Sequence, residues 1–334
     1  MKVLIINQSE VRRLLPMREC IDVMADALAE LARGEAILPL RSIMWLPEKV
    51  GALGVMPSYL EGIKAIGLKV ITVFPGNHGT QYDSHQGAVM LFEATHGQLL
   101  TLMDASEITA IRTAAVSGVA TRLLARPDAQ SLALLGTGVQ AKTHLAAMRE
   151  VRDIKSVRVW SRNKEHAAQF AERETRRHGI PVSVAANVND AVDGAAIICT
   201  TTSSRDPILT GGWISPGTHI NAVGSSVPFA RELDALAVKQ SRLYVDRRES
   251  TLNESGDFLL ARKEGAVDDA HILGEIGELL VGTAEGRKTV EDITLFKSLG
   301  LAIEDLAAAN HVYKKAIEAG VGVMVELGGE RDGE

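Results

Sequence analysis

The period of the apolar positions changes along the chain. Over 17–33 they fall at Ile21, Met24, Leu28 and Leu31, the spacing of one helix face, and Gly34 stands where such a helix would stop. From Leu38 to about Leu102, short β-like runs alternate with the turn clusters PGNHG and DSHQG, which predicts a mostly antiparallel sheet. A long helix is expected over 107–125. Beyond Pro127 strands and helices alternate. The strand runs are SLALLG (131–136), SVRVWS (156–161), PVSVAA, AAIICTTT (195–202), HINAVG (219–224) and RLYVD (242–246). Helices are expected from about 139, up to about Arg177 and around Ala191, with a last one over 297–319. Such alternation implies right-handed crossovers and a parallel sheet covered on both faces. The expected fold class is therefore α/β. A Rossmann-type parallel-sheet domain spans 123–304, and a discontinuous α+β domain is built from 1–122 and 305–334.

Composition narrows the partners. A net charge of −6 argues against nucleic acid or an anionic membrane surface, both of which attract basic proteins. No run approaches the ~18 apolar residues of a membrane span. The opening MKVLIINQSEVRR is too short in its apolar part for a signal-peptide core, so a cytoplasmic location is expected. Cys20 and Cys199 both sit in apolar patterns with no metal-ligand spacing, which predicts buried thiols and no metal site.

The first chemical signal is LALLGTGVQA, where Gly136, Gly138 and Ala141 fit G-x-G-x-x-A between a predicted strand and a predicted helix. That context separates a dinucleotide loop from an ordinary glycine-rich turn. Gly136 permits the tight turn, Gly138 admits a pyrophosphate at the helix N-terminus, and Ala141 lets helix and strand pack closely. After the second strand comes VWSRNKEH. Ser161, Arg162, Asn163 and Lys164 occupy the place where an acidic residue would hold the ribose 2′-hydroxyl of NAD. A hydroxyl and two cations suit a 2′-phosphate, so NADP(H) is the expected cofactor, with NAD(H) as the alternative.

Three cations lie in apolar surroundings: Arg41 in LPLRSIMWLP, Lys69 in AIGLKVITVF and Arg112 in ITAIRTAAVSGVAT. Each alone reads as a snorkelling or structural cation. Together they suggest a clamp for a substrate carboxylate, for which a bidentate arginine is well shaped. The stretch INAVGSSVPF ends a strand with Ser225 and Ser226, at the kind of strand end where α/β proteins place their ligands.

Across nearly its full length the chain resembles the ornithine cyclodeaminase/mu-crystallin family. The stretches that carry the resemblance are GVMPSYL, SHQGAVMLFEATHGQLLTLMD, ITAIRTAAVS, LLGTGVQA, HINAVGSSVPFARELD, ESGDFLL and TLFKSLGLAIEDLAAA. The resemblance implies a Rossmann domain and a second domain that mediates dimerisation and contributes to the substrate site, hence a homodimer. It implies that Arg41, Lys69 and Arg112 hold a substrate carboxylate and that Thr113 helps bind cofactor phosphates. The cofactor is expected against Gly136, Gly138, Val139, Gln140, Ser161, Arg162, Lys164, Thr201 and Val223 as well. Lys69 and Ser226 are the expected catalytic pair, and His85 is either a proton donor or a turn-capping residue.

Ornithine cyclodeaminases resemble this chain but carry aspartate at the position of Ser226 and glutamate at that of Gly54. Cyclodeamination must hold and deprotonate a side-chain amine, a task for carboxylates. A serine hydroxyl is no base near neutral pH without a partner. The mu-crystallin-like ketimine reductases, which the chain resembles around NAVGSS, carry serine there and reduce cyclic imines such as pyrroline- or piperideine-2-carboxylate. The resemblance therefore implies an NAD(P)H-dependent imine reductase. Ornithine cyclodeaminase and an alanine-dehydrogenase-like enzyme are the alternatives, and a non-catalytic NADPH-retaining carrier is the rival from another class.

Overall fold

The structure is a computed structural model and describes residues 2–77 and 79–329. It divides into two compact units, residues 1–112 with 301–334, and residues 113–300. Among the described residues each unit contains one eight-stranded sheet. No helix among them is long and apolar enough to cross a membrane.

In the first unit the strands are β1 (Lys2–Ile6), β2 (Ala36–Ile37), β3 (Ser42–Trp45), β4 (Ala52–Leu60), β5 (Ala65–Val73), β6 (His85–Glu93) and β7 (Leu99–Asp104). The helices α1 (Gln8–Leu14), α2 (Met17–Ala32) and the start of α3 (Ala105–Leu124) join them. β4 to β7 form an antiparallel meander, as the alternating pattern predicts. β1 was not foreseen. It pairs parallel to β7 and antiparallel to the last strand of the chain, Val323–Glu326. Alternation sends Met56, Lys69, Ile71, Leu91 and Met103 to a buried face, where the helix Ala302–Ala319 packs, with α2 against that helix.

The second unit carries β8 (Ser131–Leu135), β9 (Ser156–Trp160), β10 (Val182–Val184), β11 (Ile197–Thr200), β12 (His219–Ala222), β13 (Arg242–Val245), β14 (Ile272–Glu275) and β15 (Thr294–Lys297). Every pairing is parallel, in the order β10-β9-β8-β11-β12-β15-β13-β14. The strand cores are buried on both faces, which explains their near-continuous apolar runs. Between the strands lie α4 (Val139–Val151), α5 (Lys164–His178), α6 (Val188–Val192), α7 (Ala235–Lys239), α8 (Arg248–Glu254), α9 (Gly256–Lys263) and α10 (Ile276–Leu280).

One boundary expectation is corrected. The last helix, α11, begins at Ala302 and not at 297, and Thr294–Lys297 belongs to β15 instead. Gly300 adopts φ +79°, a conformation no helix interior contains, and separates the two elements. The final strand, β16, is Val323–Glu326.

Candidate functional site

Sheet register and helix phase bring two of the three predicted cations together. Lys69 points from β5 to the buried face, and Arg112 lies on α3, both almost inaccessible to solvent. Their partners come from the first turn of α11. Asp305 Oδ2 is 2.6 Å from Lys69 Nζ, and its Oδ1 accepts from Arg112 Nε at 2.8 Å. Glu304 Oε2 accepts from Arg112 Nη1 at 2.7 Å. Arg41, half-buried just before β3, lies near enough to Lys69 to act on its charge.

Glu304 and Asp305 were not singled out in the sequence. The signal was there: two adjacent acids inside LAIEDLAAA answer a lone arginine inside ITAIRTAAV. Buried charges must be paired, and each run supplied half of the pairing.

The electrostatics follow from this geometry. Burial pushes the Lys69 ammonium down to about 8, with Arg112 and Arg41 acting the same way and Asp305 opposing them. Burial works to raise the Asp305 carboxyl, but Arg112 and Lys69 outweigh it and hold the group below its usual range. For Arg112 burial works downward and the two carboxylates prevail, so it stays charged. Lys69 and Arg112 are thus paired with two buried carboxylates, and Arg41 adds to the positive field at Lys69.

In the second unit, β9 lies on one side of β8 and β11 on the other, so the carboxyl end of β8 is a topological switch point. Gly136 sits there at φ +123°, and a Cβ on it would come within 2.7 Å of Thr201 Oγ1. Glycine is required on both counts. Gly138 caps α4 without any side-chain hydrogen bond, leaving the first backbone N–H groups of the helix to an external acceptor. Space beside Gly138 is open, and Val139 is an exposed apolar side chain at the rim. The cradle therefore fits a pyrophosphate. Gln140 is half-buried on the first turn of α4, and Thr201 donates from its backbone N to Leu135 O at 2.9 Å. Val223 N donates to Thr200 O at 3.0 Å, which fixes the end of β12 beside that of β11.

The turn after β9 divides its residues. Thr137 Oγ1 and Ser161 Oγ lie 3.5 Å apart, joining this turn to the glycine loop. Arg162 and Lys164 are exposed, and no ion pair is formed by either among the described residues. Asn163 is instead the N-cap of α5, its side chain accepting from Glu165 N and His166 N. Capping occupies only its Oδ1 acceptor. Thr113 is buried on α3, Ser226 is half-buried past β12, and His85 is exposed with its Nδ1 3.0 Å from Ser84 Oγ. Gly54 lies within β4, opposite Ile43 and Ile71. Among the described residues no group of three His, Cys, Asp or Glu is placed to hold a metal ion.

Residues 1–320 match the model of the ornithine cyclodeaminase/mu-crystallin family. The Delta(1)-pyrroline-2-carboxylate reductase of Bacillus cereus is 39% identical over 326 residues, covering 97% of this chain and all of the relative. The ketimine reductase mu-crystallin of Mus musculus is 43% identical over 290 residues, or 86% of this chain and 88% of the relative. Among solved structures, the Delta(1)-pyrroline-2-carboxylate reductase of Thermococcus litoralis, in complex with NADH and L-proline, superposes with a TM-score of 0.95. It shares 41% identity and covers 97% of this chain and 100% of that one.

Proposed function

Because the chain belongs to the ornithine cyclodeaminase/mu-crystallin family, we propose that it is an NADPH-dependent ketimine reductase. Its substrate would be a small cyclic imine bearing a carboxylate, such as pyrroline-2-carboxylate or piperideine-2-carboxylate. The observation that carries the reading is the pair Ser226 and Gly54, where the cyclodeaminases it resembles carry carboxylates, alongside the buried Lys69 and Arg112 with Arg41 near them. A substrate that needs its carboxylate held but no amine deprotonated suits this equipment. An imine carboxylate is such a substrate, and ornithine is not.

In this reading Arg112 and Arg41 fix the substrate carboxylate and so orient the C=N bond. A nicotinamide held in the cradle would supply the hydride that the imine carbon takes up. The nitrogen then needs one proton. Lys69, with its ammonium held at about 8, is poised to donate near neutral pH, and Asp305 keeps its nitrogen in place. The Ser226 hydroxyl orients the imine or a water. Gly136, Gly138, Val139, Gln140, Thr201 and Val223 line the cofactor cradle, and Thr113 reaches its phosphates. Ser161, Arg162 and Lys164 favour a 2′-phosphate and hence NADPH, because no carboxylate in this turn competes for a ribose hydroxyl.

A homodimer belongs to the same reading. It is supported by the second face of the first unit's sheet, where Val55, Leu68, Val70, Met90 and Phe92 are apolar and only half-buried. The test is direct: purified protein with NADPH and each cyclic imine, following cofactor oxidation and the cyclic amino acid formed. Rapid turnover of at least one imine is expected. Reduction of pyruvate with ammonia at a higher kcat/KM would replace this reading with an alanine-dehydrogenase-like one.

A further inference from the structure

We propose that Glu232 is a positioning residue for the loop bearing Ser226, acting with Asp257 and Lys297 to tie the ends of β11 and β12 into one platform for the nicotinamide end of the cofactor. The proposal rests on the imine-reductase reading above.

All three side chains are buried, at 0%, 2% and 1% exposure, and none was marked out by the sequence. Glu232 reaches two strand ends at once. Its Oε1 accepts from Thr202 N at 2.6 Å and from the Thr202 hydroxyl at 2.7 Å. Its Oε2 accepts from the Thr200 hydroxyl at 2.6 Å and from Gly224 N at 2.8 Å. Thr200 and Thr202 flank Thr201 in the cradle, and Gly224 opens the serine loop.

The other two residues secure the rest of that loop. Asp257 Oδ1 accepts from Glu232 N at 2.8 Å and Leu233 N at 3.0 Å. Lys297 Nζ lies 2.9 Å from Asp257 Oδ2 and donates to Ser225 O at 2.5 Å. The Ser225 hydroxyl donates to Ala230 O, closing the loop on itself. The crossing is tight: a Cβ on Gly224 would fall 2.1 Å from Thr202 O and 2.5 Å from Glu232 Cδ. Ser226 therefore follows a residue whose carbonyl and hydroxyl are both committed and a glycine whose amide Glu232 holds.

Two carboxylates and an ammonium are an expensive way to hold a loop, because well-packed apolar residues do as well or better for stability alone. What the charges add is direction. Burial, with Asp257 beside it, pushes the Glu232 carboxyl up, yet two backbone amides and two hydroxyls converge on its oxygens, and no apolar residue can fix two backbone amides in this way.

Glu232→Gln is isosteric, but its amide NH2 must face a backbone N–H, either that of Thr202 or that of Gly224. One strand end is then released. Thr200→Val is gentler, removing a single hydroxyl donor and leaving every backbone contact. The experiment is a single-turnover measurement in which the protein–NADPH complex is mixed with excess pyrroline-2-carboxylate. The amplitude reports the fraction of competent protein and the rate constant reports alignment for hydride transfer. NADPH deuterated at the transferred position confirms that this step is observed.

Glu232→Gln should lower the rate constant at least about tenfold while the amplitude and the imine KM hold within about threefold. Thr200→Val should lower it by a smaller factor in the same direction. Rate constants that stay at the unmutated value while amplitudes fall would overturn the proposal, since a merely structural role predicts that. If Glu232→Gln does not fold, Thr200→Val decides alone by the same criterion. An unmutated protein that oxidises no NADPH with either cyclic imine would instead overturn the reductase reading, and this inference with it.

Discussion

Arg112 faces two carboxylates before it meets any substrate, and this changes what its removal should do. Arg112→Ala should lower kcat/KM for the imine by roughly 2 kcal/mol or more, about 30-fold, through the lost carboxylate anchor. It also leaves Glu304 and Asp305 buried with one fewer cation, so urea unfolding should show a loss on the order of 3–5 kcal/mol. Arg41 is only half-buried. Arg41→Ala should therefore raise the imine KM with a much smaller stability change. Equal destabilisation by the two variants would contradict the arrangement.

Lys69 gives the residue scale a pH signature. Its ammonium is held at about 8, so the protonated, donating form is lost as pH rises through that value. The kcat/KM for imine reduction should fall on the alkaline side of about pH 8. In Lys69→Arg that limb should disappear, because a guanidinium stays charged throughout. The comparison between the two proteins separates this limb from ionisation of the imine itself, which both would share.

Among the elements, the strand–turn–helix units of the second sheet were legible because buried parallel strands and glycine turns leave strong local patterns. Other elements were not. KVLII of β1 is too short to announce itself, and its partners come from the far end of the chain. TLFK was not marked as a strand and its last residue was counted into the following helix, since period alone does not separate a short buried strand from a helix. Glu304 and Asp305 looked like ordinary acids in a first helical turn, where the helix dipole favours them. Asn163 looked like part of a basic turn, yet its Oδ1 caps α5.

That capping leaves Arg162 as the planar cation of the β9–α5 turn. Arg162→Ala should reduce the preference for NADPH over NADH by about 1–3 kcal/mol, the scale of a charged hydrogen bond. Dissociation constants measured from NAD(P)H fluorescence check this. Equal affinity for the two cofactors in the unmutated protein would remove the basis for the NADPH assignment.

At the scale of the whole molecule, buried neutral histidines set an acid limit on stability. His144 joins Ser117 and Gln140 O, and burial pushes it down to about 4. His219 pairs with Thr294 and is pushed down to about 3 by burial, with Arg287 adding to the effect. An unfolded chain takes up protons at these positions near pH 6.5, whereas the folded protein resists until much lower pH. The stability they contribute is therefore present above about pH 6.5 and lost as pH falls toward 4 and 3. For His144 the loss is on the order of 3 kcal/mol. Urea midpoints measured between pH 7 and pH 4 should fall steadily, and His144→Gln should flatten part of that slope.

The central claim is that a chain with Ser226 and Gly54, and with Arg41, Lys69 and Arg112 in its first unit, reduces imines and does not cyclise ornithine. It is tested most directly by one paired measurement on the purified protein. Pyrroline-2-carboxylate with NADPH is followed by cofactor oxidation, and ornithine with NAD+ is followed by ammonia release under the same conditions. Fast oxidation of NADPH with little or no ammonia from ornithine is the predicted result. Ammonia release at a rate comparable to imine reduction would show that Ser226 is no bar to cyclodeamination and would contradict the account.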